Sequence, residues 1–170
     1  MRIAQVAPLM ESVPPLLYGG TERVVSYLSE ELVHQGHDVT LFASGDSRTS
    51  ATLIRCSEMA LRLNPAVKDA LPYHLMMLNE VCRQADEFDV IHFHIDLLQF
   101  PLIGGFADRT LTTLHGRLDL PDLKLFYAAF PNIPLVSISD SQRLPLPSAR
   151  WAGTVSRASS STTSERRRRQ

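Results

Sequence analysis

The sequence predicts an α/β protein, a parallel sheet covered by helices on both faces. Three observations carry that prediction. Short apolar runs alternate with longer segments of helical spacing along most of the chain. The runs are apolar on consecutive positions, as strands buried on both faces require. Each run also ends in small, hydroxyl, imidazole or carboxylate residues, the crest where such sheets bind ligands.

The elements follow in order. "RIAQVAP", residues 2–8, reads as a buried first strand. A loop with Pro14, Pro15, Gly19 and Gly20 leads into a helix whose apolar stripe is Val24, Val25, Leu28, Leu32 and Val33, with Gly36 at its stop. "HDVTLFAS" is the second strand and closes a βαβ unit. Residues 65–88 have helical spacing through Leu71, Leu75, Leu78, Val81 and Ala85, with Pro72 starting or kinking the helix. "FDVIHFH" is a strand, 97–106 a short helix, "RTLTTLHG" a strand with its exit turn, 122–130 a helix and "IPLVSIS" a strand. The architecture expected is Rossmann-like.

The domain is expected to span 1–147. Beyond it, "SRASSSTTSERRRRQ" has no aliphatic larger than Ala158, so 148–170 reads as a disordered basic tail, more simply a solvated end than an arm for anionic partners. Residues 143–170 carry seven arginines against Glu165 alone, while residues 1–142 are net acidic. An acidic body argues against nucleic acid as a partner. Cys56 and Cys82 lie far apart without a C-x-x-C partner, so neither a zinc knuckle nor a disulfide framework is expected. With neither a secretory leader nor an apolar run of membrane-spanning length, a reduced cytoplasmic setting follows.

Chemistry is expected at the strand exits. Gly19 and Gly20, followed by Thr21, either bring bare backbone and helix-start N–H groups close to a phosphate or sugar-bearing ligand, or serve a tight turn at positive φ. Neither G-x-G-x-x-G nor a P-loop is present. Asp46 near the second strand's end keeps a nicotinamide-binding oxidoreductase as a poor second reading. His92, His94 and Asp96 would share a face only if their strand ran on through Asp96, so no metal is expected. His115, leaving a strand before Gly116, either contacts a substrate hydroxyl or developing charge, or caps its own loop.

Taken together, "RIAQVAP", "YGGTERVVSYLSEELVHQGHDVTLFASGDS", "FDVIHFHID", "TLHG" and "IPLVSISDSQR" resemble the amino-terminal half of a family 4 glycosyltransferase of the GT-B fold, over residues 1 to about 147. The resemblance implies retaining transfer of a hexose from a nucleotide-diphosphate sugar to a hydroxyl acceptor, with no cofactor or required metal. It implies a donor and substrate set of Gly19, Gly20, Thr21, His94, Gly116 and Ser139, with His115 as the catalytic residue at the transferred sugar. Family members continue into a second domain that holds a Glu-x7-Glu motif and a basic pair. Here "SRASSSTTSERRRRQ" follows Val155 and reads as out of frame. The expectation is a truncated half, inactive alone, which retains at most weak acceptor or nucleotide affinity.

Overall fold

A computed structural model of the chain describes residues 1–155. One seven-stranded sheet runs through it in the order β3-β2-β1-β4-β5-β6-β7, every pair parallel. The strands are β1 (Arg2–Val6), β2 (Asp38–Ser44), β3 (Thr52–Ser57), β4 (Val90–Phe93), β5 (Thr110–Thr113), β6 (Leu135–Ser137) and β7 (Trp151–Thr154). The helices are α1 (Gly20–His34), α2 (Leu71–Arg83), α3 (Pro121–Ala129) and the single turn α4 (Asp140–Arg143). Strand order reverses between β1 and β4, the switch point where such sheets open a crevice.

Alternation along the strands divides the core into two layers. Ala4, Val6, Phe42, Ile91 and Phe93 pack with Met77, Leu78 and Val81 of α2 and Tyr127 of α3. Leu41 and Ala43 point the other way, onto Val25 of α1. The same alternation sends His92 of β4, and His94 just past its end, away from the aromatic layer, and both are buried.

Local chemistry explains the helix bounds. Gly36 has φ of +83°, and His37 N–H to Leu32 O (3.1 Å) with Gly36 N–H to Val33 O (2.9 Å) completes a Schellman stop for α1. Pro72 sits in the first turn of α2, where its missing N–H costs nothing.

Several expectations need correction. The buried face of α1 is Glu22, Val25, Ser26 and Ser29, with Val24 partly exposed, so the stripe is rotated toward small polar residues. Likewise α2 buries His74, Met77, Leu78 and Val81, while Leu71 and Leu75 face outward. Residues 97–106 form turns and the start of a 3-10 segment (Gly104–Arg109) instead of a helix, because Pro101 and the pair Gly104-Gly105 interrupt it. β3 was not anticipated. It reaches its parallel register through the short connection 45–51, tied to Glu30 of α1 by Thr49 Oγ1 (2.7 Å) and Ser50 N–H (2.9 Å).

The boundary at 147 also moves. Trp151–Thr154 is a seventh strand paired with β6, held by Ser137 Oγ to Thr154 Oγ1 (2.8 Å) and by Trp151 Nε1 donating to Leu146 O (2.9 Å). Residues 148–155 are therefore part of the folded unit. The rest of the expected tail, 156–170, lies outside the described residues.

Candidate functional site

The loop after β1 returns to Gly19, the residue before α1, and Glu22 folds back beneath it. A Cβ on Gly19 would lie 2.6 Å from Glu22 Oε2 and 2.9 Å from the Pro15 ring. Gly19 has φ of −173°, ordinary extended backbone, so space and not conformation demands glycine there. Gly20 differs: a Cβ on it meets nothing within 4 Å. Neither glycine uses positive φ, which removes the tight-turn reading.

α1 starts without a side-chain cap from Gly19, leaving helix-start N–H groups and the positive end of the dipole at the crest. Beneath them lie two buried carboxylates. Burial pushes the Glu22 carboxyl up, with the Glu11 charge adding to the shift and Arg62 opposing it. Arg62 Nη1 stands 2.9 Å from Glu11 Oε1, but neither Glu11 oxygen receives a well-directed hydrogen bond. The contact is charge against charge. A hollow of about 430 Å3 opens over this corner, lined by Tyr18, Gly19, Gly20, Thr21, Glu22, Arg62, His115 and Ile138 among others.

A second hollow of about 440 Å3 adjoins it, lined by His115, Gly116, Arg117, Ser139 and Gln142 among others. His115 and Ile138 belong to both. Here Gln142 of α4 acts as a staple. Its Oε1 accepts from Ile138 N–H (2.8 Å), while Nε2 donates to Leu114 O (3.0 Å) and Gly116 O (2.7 Å), one on each side of His115. Since a peptide N–H only donates and a carbonyl only accepts, the amide orientation is unambiguous. Ser139 Oγ accepts from Gln142 N–H (3.2 Å), an N-cap that orients the staple.

Under the junction of the hollows three imidazoles lie in a row, tilted by 37° between His92 and His94 and by 33° between His94 and His115. Ring centroids are 4.1 Å apart for His92 and His94, and 5.3 Å for His94 and His115. His92 Nε2 is 2.7 Å from Thr113 Oγ1, His94 Nε2 is 2.9 Å from Gln5 Oε1, and His94 Nδ1 is 3.0 Å from His115 Nε2. Burial pushes His92 down to about 4, with repulsion from His115 adding to it. Burial likewise carries His94 well below its ordinary value, and lowers His115 against the opposing pull of Asp96. All three are neutral at pH 7, so the row exchanges hydrogen bonds and carries no positive charge.

The structure thus gathers Gly19, Gly20 and Thr21 in one hollow, Gly116 and Ser139 in the other, and His115 between them. His94 is the exception. Expected at the donor, it is 2% exposed, lies behind His115 and lines neither hollow, because strand alternation turns it into the layer under α1. Gln5, Glu22, Arg62 and Gln142 were not anticipated; only register and tertiary contact bring them here. Among the described residues no three His, Cys, Asp or Glu side chains converge as metal ligands do.

A Rossmann-like sheet in this strand order carries a polar crest at its carboxyl edge, the place where open α/β sheets bind their ligands. The model of Glycosyltransferase Family 4 matches residues 18–160, and the chain belongs to that family. Among solved structures it is similar to AviGT4, a glycosyltransferase involved in avilamycin A biosynthesis, with a TM-score of 0.50 and 22% identity. That match covers 85% of this chain and 38% of the other, so the chain spans well under half of that protein's length. The likeness is one of fold, that of a GT-B glycosyltransferase. No curated protein matches.

Proposed function

We propose that this chain forms one wall of a glycosyltransferase cleft, transferring a hexose from a nucleotide-diphosphate sugar to a hydroxyl acceptor with retention. The observation that carries the reading is the pairing of Gly20 with His115 across one hollow. Gly20 is not needed by the fold, since nothing stands where its side chain would be, and it leaves the uncapped start of α1 open to a diphosphate. His115 then meets the sugar, with Thr21, Gly116 and Ser139 along the same crest. His94 enters only as a support for His115. A second domain of the GT-B kind would supply the opposite wall and the remaining charge stabilisation. No step requires a metal: positioning and fixed dipoles lower the barrier. No helix among the described residues is long and apolar enough to cross a membrane, and the setting we propose is cytoplasmic.

The test is transfer assayed with a panel of nucleotide-diphosphate hexoses. The 170-residue chain alone should be silent, because losing even one fixed donor costs ~10²–10³ in rate. Joined to a family carboxy-terminal domain it should turn over. Gly20→Val should then abolish transfer, and His115→Ala should lower kcat more than it raises KM for donor. Turnover indifferent to both substitutions would remove the site assignment, and robust transfer by the chain alone would falsify the two-wall reading.

A further inference from the structure

The imidazole row holds a proton order that reaches the cleft. Each neutral imidazole has one N–H and one bare nitrogen. Gln5 is 1% exposed and sets its Oε1, an atom that only accepts, 2.9 Å from His94 Nε2. With the Gln5 carboxamide in that orientation, His94 carries its proton on Nε2 and its Nδ1 is bare. The 3.0 Å contact from that Nδ1 to His115 Nε2 needs one proton, and His115 must provide it. The single proton of His115 is thus spent inward, and its Nδ1 is left as a bare lone pair. His115 lines both hollows while its Nε2 is turned to buried His94, which leaves Nδ1 as its one ring nitrogen without a partner inside the fold.

We propose that Gln5 and His94 are positioning residues that lock His115 as a hydrogen-bond acceptor toward the cleft, so that it selects a ligand hydroxyl and turns away an oxyanion. A sugar or acceptor O–H has a proton to give to Nδ1; a phosphate or carboxylate oxygen has none and meets a lone pair. The chain then sorts the two ends of a ligand, with its anionic end at the start of α1 and its hydroxyl-bearing end at His115. The sorting rests on the glycosyl-transfer reading, while the proton order stands without it. Burial keeps all three rings neutral, so no second proton blurs that order.

The test is long-range ¹H–¹⁵N correlation on histidine-labelled, ligand-free full chain at pH 7. Protonated and bare ring nitrogens resonate far apart, so the tautomer of each imidazole is read directly. Expected are a protonated Nε2 and a bare Nδ1 for both His94 and His115. A protonated Nδ1 on His115 overturns the proposal. Gln5→Glu supplies the second arm. A buried carboxylate beside His94 holds a second proton on it, His94 Nδ1–H then donates to His115 Nε2, and the two His115 nitrogen resonances exchange places. A folded Gln5→Glu chain with the His115 tautomer unchanged overturns control by Gln5. Should that variant not fold, the wild-type spectrum alone decides. Because no ligand or turnover is involved, absent glycosyl transfer would sink the functional reading and leave this result intact.

Discussion

Replacing each of the two adjacent glycines by alanine should move stability in opposite directions. At Gly19 the new Cβ would stand 2.6 Å from Glu22 Oε2 and 2.9 Å from Pro15 Cβ, separations real contacts do not hold. Glu22 is only 5% exposed and cannot swing into water without giving up its place beneath the helix start. Overpacking of this kind costs ~1–3 kcal/mol. At Gly20 the methyl group enters open space on the first residue of α1. There the lost freedom of the unfolded chain gives ~0.4–1 kcal/mol of stabilisation. The two variants should therefore differ by roughly 1.5–4 kcal/mol, or about 3–16 °C in Tm at ~2–4 °C per kcal/mol for a domain of this size. Urea and thermal melts of the two proteins side by side measure the gap. Equal destabilisation of both, or a Gly20→Ala protein less stable than Gly19→Ala, would refute the division of labour between fold and ligand.

Stability should also fall on acidification from about pH 6.5 to about 4. Over that range the unfolded chain takes up a proton that folded His92 refuses until about 4, worth about 3 kcal/mol by linkage. His94 and His115 act in the same direction, and the raised Glu22 carboxyl opposes them in part. A Tm that stays level through that range counts against the neutral row. Gln142→Ala removes three hydrogen bonds and should cost ~1–3 kcal/mol in urea titrations, with faster amide exchange at 114–116; unchanged exchange there would show that the staple does not hold the His115 loop. Burial pushes the Cys56 thiol up to about 12, so at pH 8 a disulfide reagent should label it only after denaturant is added, and rapid labelling of the native protein contradicts its placement.

How far the sequence could be read depended on whether a feature was local. β1, α1, β2 and β4 announce themselves by apolar runs, a helical stripe and a glycine stop within a few residues. β3 and β7 do not. "TLIRCS" is a half-buried edge strand, and "WAGT" sets only Trp and Thr around Ala and Gly over four residues, too short a run to announce a strand until β6 pairs with it. The spacing of His92 and His94 showed that they share a face. That His115 joins them follows only from β4 lying beside β5. Gln5 and Gln142 gave no signal, since glutamine is ordinary in strands and loops until its partners are known. The crest glycines were legible as a pair. Only their surroundings distinguish one kept for packing from one left open.

The seventh strand carries a consequence for how the molecule keeps to itself. β6 is three residues long, and β7 pairs with Leu135, Val136 and Ser137 along its outer side. A chain cut at 147 would present that side bare, a row of unpaired peptide groups flanked by buried aliphatic side chains. Such an edge recruits whatever strand passes, most readily another copy of itself. With β7 in place, the outward rim is a strand that contains Gly153, with Thr154 turned back to Ser137 and the Arg143 guanidinium 5.2 Å from the Trp151 ring. Four residues beyond the expected boundary thus cover the outer side of β6 and move the rim of the described sheet to β7.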